Sequence, residues 1–251
     1  MKPRTLVALV LVLAGAGMCV RLGFWQVTRW HEKRALNAAL RAALMAEPLK
    51  VYSPPPPLGP VEKRRIEAFG WFDEKRQVLL SGRVRAQLPG VEVVTPLILA
   101  GDSTAVLVDR GWLYAPDAVR ARAQDYRERP RAVVGIAHAI PRGRSAQPMM
   151  SLERDSSLTL WSAHTLDLDS LRVRFPYAIA PYLLVELPGK GVPDKPLRGM
   201  PQMLDEFMHV SYATQWFLFA AILLGGSAAL AWSNRRGRRS RDDLLPLDPL
   251  P

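Results

Sequence analysis

One cysteine and four histidines are all that this 251-residue chain offers of the side chains that crosslink or bind metals most readily. The cysteine, Cys19, lies inside the first apolar stretch. The remainder therefore has no disulfide and no thiolate cluster, and needs an ordinary apolar core. Signatures of turnover are equally scarce. Gly-x-Ser-x-Gly is absent, and Gly101-Asp102-Ser103 falls in an expected hairpin turn with no Asp-x-x-His pair to supply a base. Gly189-Lys190-Gly191 lacks the rest of a phosphate loop, and no His-Glu-x-x-His helix is present for zinc. His138 and His164 stand alone in expected strands and read as hydrogen-bonded structural residues. The central part does not read as an enzyme.

Acidic residues are outnumbered, 23 against 34 Lys and Arg, for a net charge of +11. In a soluble protein this would suggest nucleic acid. Much of the excess lies in the terminal flanks, however, where anionic lipid is the better partner, and no basic helix with interleaved aromatics sits on a soluble module. Nucleic-acid binding is excluded on that ground.

Charge is missing altogether from Val210 to Trp232. That run exceeds the roughly 20 residues a spanning helix requires. Leu6 to Val20 is also apolar, with Lys2 and Arg4 before it and Arg21 after it. Ala14-Gly15-Ala16 would suit signal-peptide cleavage. A retained anchor is the better reading, because the apolar character continues past Arg21, whose long side chain can snorkel, to an interfacial Trp25. A lipoprotein reading of Cys19 is weakened by Met18, where a small residue is expected. Lys2, Arg4 and the tail Arg235-Arg236-Gly237-Arg238-Arg239-Ser240-Arg241 place both termini in the cytoplasm, with the middle on the opposite side.

The expected organisation is an N-terminal span over 1–25, a helical extension over 26–52, a proline-rich spacer over 53–60, a β-rich domain over 61–208, a second span over 209–232 and a tail over 233–251. Leu36, Leu40 and Leu44 continue the first helix, and Ser53-Pro-Pro-Pro-Pro57 stops it. Runs of period two at 64–72, 77–85, 91–99, 104–113, 131–140, 158–163 and 177–186 predict antiparallel strands, with turns at Gly82, Pro89-Gly90 and Gly101-Asp102. A helix is expected over Asp117–Arg129, after Pro116. The fold class is α+β: two membrane helices flanking an antiparallel sheet or barrel-like domain with one or two helices. The polar, basic tail after Ser233 reads as disordered.

His209 stands at the boundary of the second apolar run. An ionisable group there is a functional candidate, because burying it without a partner is unfavourable. Near a helix N-terminus the free amides disfavour the imidazolium, and a neutral imidazole can ligate iron. Tyr212, Ala213 and Trp216 fall at i+3, i+4 and i+7, so Ala213 would leave room for a flat macrocycle that Tyr212 and Trp216 flank. An interfacial aromatic belt accounts for Trp216, Trp25 and Trp30 equally well. Met200, Met203, Met208 and His209 together would suit Cu(I).

Three separated motifs carry a resemblance that spans nearly the whole chain. Gly23-Phe-Trp25-Gln26-x-x-Arg29, Val106-Leu-Val-Asp109-Arg110-Gly111-Trp112 and His209-x-x-Tyr212-Ala213-x-x-Trp216-Phe217 occur in the order seen in the Surfeit locus protein family. Gly90-Val-Glu-Val-Val-Thr-Pro-Leu97 also resembles that family's strand before the Arg-Gly-Trp turn. The chain departs from the pattern at Met208, Gln215 and Leu113-Tyr114. The resemblance implies a bacterial assembly factor for haem-copper cytochrome c oxidase that handles haem a transiently during maturation of subunit I. It implies His209 as axial ligand, Tyr212 and Trp216 lining the site, and Trp25, Gln26 and Arg29 approaching from the first helix. Arg110 either holds a strand end or, like Arg29, pairs with a propionate. The implied partners are oxidase subunit I, haem a synthase and membrane lipid, in the cell inner membrane with the central domain periplasmic. An oxidase-binding scaffold without haem and a copper-handling protein are the alternatives.

Overall fold

The computed structural model describes residues 3–101, 104–143, 149–154 and 159–242. The readings placed on Lys2, on the Asp102–Ser103 turn and on the last nine residues lie outside them. The chain divides into two compact units, one built from α1 as far as Ala39 and the segment from Met203 onward, the other from Leu40 to Gln202.

The first unit consists of two long apolar helices, α1 (Pro3–Met45) and α4 (Phe207–Asp242). Both are long and apolar enough to cross a membrane. Helix α4 corrects the expected disorder of the basic run, since 235–241 continues the helix to Asp242. Arg is a good helix former.

The second unit holds the sheet. Its elements are β1 (Leu49–Val51), α2 (Leu58–Val61), β2 (Arg65–Phe72), β3 (Arg76–Arg85), β4 (Leu88–Leu99), β5 (Ala105–Tyr114), β6 (Arg131–Ala139), β7 (Met150–Arg154), β8 (Thr159–Ala163), α3 (Leu168–Arg174) and β9 (Ile179–Glu186). Residues 49–51, expected within the helical extension, are strand β1; α1 has already ended at Met45. The sheet order is β1-β2-β6-β9-β5-β4-β3-β8-β7, and an additional β2–β4 pairing closes β2, β6, β9, β5 and β4 into a ring. At the closure Gly70 lies opposite Leu99, where a Cβ would come within 2.0 Å of the Ile98 carbonyl oxygen, so only glycine lets the two strands meet there.

The sheet is mixed rather than antiparallel, since β1–β2, β3–β8 and β5–β9 run parallel. These pairings join strands distant in sequence, which local periodicity cannot report. Alternation sends Ile66, Ala68, Leu97, Leu99, Val106, Val108, Val133, Ala137, Tyr182 and Leu184 into one core cluster. The opposite sheet face packs Val78, Leu80, Val94 and Leu107 with Leu168 and Leu171 of α3. Helix α3 starts at Asp167, whose side chain accepts from the Ser170 amide at 3.0 Å.

Two further readings are corrected. The β3–β4 turn sits at Ala86–Gln87, both at positive φ, and Pro89-Gly90 lies within β4. Positive φ at both central positions matches the right-handed twist of paired strands in a tight hairpin. The helix expected over Asp117–Arg129 is reduced to a 3-10 turn at Ala123–Asp125. Asp117 does accept from the amides of Val119 and Arg120 at 2.9 Å, as an N-terminal cap would, but Ala118 adopts φ +54°, which breaks a right-handed helix.

Candidate functional site between α1 and α4

Small and polar residues on α1 recur at helical spacing on the face turned to α4: Ala16, Gly23, Gln26 and Asn37 are buried, as are Ala213 and Ala220 on α4. The helices run antiparallel, with Gly15 near Leu223, Gly23 against Phe217 and Gln26 against His209. Small residues let the two helix backbones approach closely. Ala213 is 5% exposed. Its size serves helix packing, which corrects the reading that it leaves space for a macrocycle.

Before α4, the Asn37 amide takes hold of the entering chain. Its Nδ2 donates to the Leu204 carbonyl at 2.9 Å and to Glu206 Oε1 at 2.6 Å, while its Oδ1 accepts from the Leu204 amide at 2.8 Å. Asp205 Oδ1 then accepts from the amides of Phe207 at 2.9 Å and Met208 at 3.3 Å, capping the first turn. His209 is the third residue of the helix, so its height along α1 is fixed by these contacts.

The half-buried His209 ring places Nδ1 2.6 Å from Gln26 Oε1. An amide oxygen only accepts, so Nδ1 carries the hydrogen, and it is in the neutral form of the ring that Nε2 presents a bare lone pair. That Nε2 is enclosed and has no hydrogen-bond partner. An unpartnered buried acceptor is unfavourable in a finished structure and calls for an explanation. A ring nitrogen fixed by a hydrogen bond on its far side is the arrangement by which proteins prepare a histidine for a metal.

The remaining sequence candidates are distributed around this pair. Gln26 joins His209 directly. Trp216 is half-buried and packs edge-on to Phe219, with ring centroids 5.9 Å apart. Tyr212 and Trp25 are about half exposed, and Arg29 is exposed and paired with Glu32 at 2.6 Å. Met203 and Met208 are exposed. Among the described residues no group of three or more His, Cys, Asp or Glu is placed to hold a metal ion.

Arg110 belongs elsewhere, and its reading as a ligand contact is corrected. Its side chain is fully buried in the second unit, donating to Glu128 Oε1 from Nη2 at 2.7 Å and from Nε at 3.0 Å, and to the Tyr126 carbonyl. The guanidinium lies 5.0 Å over the Phe72 ring. Glu128 also meets Arg131 and Arg198, and Arg198 donates to Glu186 at 2.9 Å, so three arginines and two glutamates lock together at one end of the barrel. Burial alone would raise the Glu128 carboxyl, but the charge of Arg110 and hydrogen bonds from Arg131 and Arg198 outweigh it and hold it below the usual carboxylate range. Beside this cluster, burial and the nearby Glu92 push Asp109 up to about 7. His164 accepts or donates at 3.1 Å with Ser81, as a structural histidine would, whereas His138 is exposed.

Sequence reasoning did not find the Asn37 clamp or the Glu128–Arg198–Glu186 network. The only advance signal was a carboxylate at Glu186, on the same side of β9 as Ala180, Tyr182 and Leu184.

The model of the SURF1 family matches residues 13–221. A SURF1-like protein of Monosiga brevicollis is 28% identical over 216 residues, covering 81% of this chain and 79% of that one. A SURF1-like protein of Rickettsia felis is 25% identical over 225 residues, covering 86% and 92%. Surfeit locus protein 1 of Arabidopsis thaliana is 34% identical over 133 residues, which cover 48% of this chain and 36% of the plant protein.

Proposed function

The chain belongs to the SURF1 family, and from that premise we propose that it is an assembly factor for haem-copper cytochrome c oxidase that carries haem a during maturation of subunit I, with His209 as the axial ligand. The observation that carries this reading is the His209–Gln26 pair, which leaves one imidazole nitrogen bare and the other fixed. The iron would take the Nε2 lone pair, and the protein contributes ring orientation, tautomer and an apolar setting. Because Nε2 is enclosed, uptake requires the α1–α4 face to open at this level. A carrier gains from that, since a site that closes on itself favours release. Arg29, exposed and paired with Glu32 at the surface, is a cation available to a propionate.

In this reading α1 and α4 span the cell inner membrane, both termini are cytoplasmic, and the barrel lies in the periplasm, where it meets oxidase subunit I and haem a synthase. No catalytic turnover is assigned. The experiment is the optical spectrum of full-length protein purified from cells that make haem a. Wild type should carry a Soret band, His209→Ala should lose or shift it, and His164→Ala should do neither. A colourless wild type, or an unchanged spectrum in His209→Ala, would leave a scaffold that binds the oxidase without haem.

A further inference from the structure

Arg21 is the only charged residue from Thr5 to Thr28 of α1. It lies in a groove of about 540 Å³ along that helix, lined by Gly17, Met18, Arg21, Leu22 and Trp25. The contacts of α1 with α4 fall on Gly15, Gly23 and Gln26, so Gly17 and Arg21 lie on the opposite face, and both are exposed.

The charge is uncompensated. No Asp or Glu occurs from Met1 to His31 or from Phe207 to Arg241, and among the described residues the Arg21 guanidinium has no hydrogen bond or ion pair. The Cα–Cβ bonds of a helix tilt toward its N-terminus, so the Arg21 side chain leaves the backbone over the Gly17 turn, where an added Cβ would meet nothing within 4 Å. With Trp25 at headgroup level, Arg21 lies about 6 Å further into the apolar run, beyond the level of a lipid phosphate. Ionisable side chains inside a membrane characteristically face other helices and pair there. A bundle of two helices leaves this one outside.

We propose, on the reading that α1 spans the membrane, that this face receives a transmembrane helix of a partner protein, whose Asp or Glu pairs with Arg21 while its backbone approaches over Gly17. A guanidinium matches the carboxylate fork, and a residue without a side chain lets a second helix come close. The contact lies on the far side of α1 from His209 and does not depend on haem carriage.

The test uses full-length protein in phosphatidylcholine vesicles, with a photo-crosslinking benzoylphenylalanine in place of Met18. The probe is a synthetic spanning peptide of Leu and Ala, about 20 residues long, with Lys at both ends and a single Asp one helical turn inside one end; its counterpart carries Asn there. The Asp peptide should be captured several-fold more than the Asn peptide. Arg21→Leu should abolish that preference, Gly17→Ile should lower capture although Arg21 remains, and His209→Ala should behave as wild type. The same crosslinker at Leu230, exposed on α4, should show no preference. Equal capture of both peptides by a chain that resists alkaline carbonate extraction, or an undiminished preference in Arg21→Leu, overturns the proposal alone. A chain that carbonate strips from the vesicles removes the spanning reading and the proposal with it. Loss of the preference when phosphatidylglycerol replaces part of the lipid also overturns it, making a lipid phosphate the counter-ion.

Discussion

Phe217 of α4 fills the space that a side chain at position 23 of α1 would need: a Cβ built on Gly23 stands 2.6 Å from the Phe217 ring. The ring also packs edge-on against Phe24, with centroids 5.4 Å apart. The level at which the two helices touch is thus set one helical turn along α1 from Gln26, the partner of His209.

Gly23→Val should therefore part the helices. In a Cys19→Ser background, cysteines placed at Gly15 and Leu223, which lie in contact, should crosslink readily. Adding Gly23→Val should abolish most of that crosslink while the protein still reaches the membrane, because valine is favourable in a spanning helix. An undiminished crosslink would show that the glycine is not needed for approach.

Gln26→Ala should leave the fold intact and release the His209 ring. A second-sphere partner of a metal-binding histidine is worth roughly 10- to 100-fold in affinity, so under the proposed haem-carrying role retention should fall by that order, short of the full loss expected for His209→Ala. The ring-nitrogen NMR signals of His209 should lose the single tautomer in which Nδ1 bears the hydrogen. Wild-type retention and tautomer in Gln26→Ala would remove the glutamine from the site.

Arg198→Ala should be the most destabilising of the changes considered in the barrel. It leaves Glu128 and Glu186 buried with fewer partners, and breaking such a network by removing one member costs about 3–5 kcal/mol. Urea unfolding of the full chain should show the loss in the tryptophan fluorescence transition. Arg85→Ala, whose guanidinium donates to the loop carbonyls of Leu197 and Arg198, should change it far less.

Asp109 supplies a pH dependence of opposite sign to that of an ordinary paired carboxylate. Its folded pKa, raised to about 7 by burial and by Glu92, lies above its value in the unfolded chain. Below about pH 4 both states are protonated and the group is neutral in the balance. As pH rises toward 7 only the unfolded state ionises, and stability falls by about 1.4 kcal/mol per pH unit. Asp109→Asn, which keeps an acceptor for the Gly111 amide, should stabilise the protein at pH 7, less at pH 5 and not at all near pH 4. A gain independent of pH would contradict this.

Topology has its own test. A reporter active only in the cytoplasm should work when fused at the C-terminus and fail when inserted after Gly101. Activity at both points, or a mature chain beginning after Ala16, would rule out two spans with cytoplasmic ends.

The apolar runs and the strand alternation were legible because each is written in a short window: seven strands were expected within a few residues of where they lie. Local signals could not show the ring closure at Gly70 or the parallel β5–β9 and β3–β8 pairings, which depend on residues far apart in sequence. The same limit applies to the site. His209 was conspicuous by its place beside an uncharged run, but its tie to Gln26 spans 183 positions. Arg110 shared a motif with Trp112 and could be read either as holding a strand end or as pairing with a propionate; the fold favours the structural role, with Glu128, 18 positions on, already holding it. Asn37, within a helix of ordinary composition, gave no sign at all.

Strand β9 has a consequence for how the protein is made. It lies between β5 and β6 and hydrogen-bonds both, although every other strand precedes it in the chain. Until residues 179–186 have been synthesised and delivered, the ring has a gap one strand wide, with an open edge on each side. The barrel is a keystone structure whose last stone is cut last. A chain stalled or truncated before Ile179 exposes two sticky borders to its neighbours, and quality-control proteases should meet it as an unfolded substrate rather than as a shorter domain.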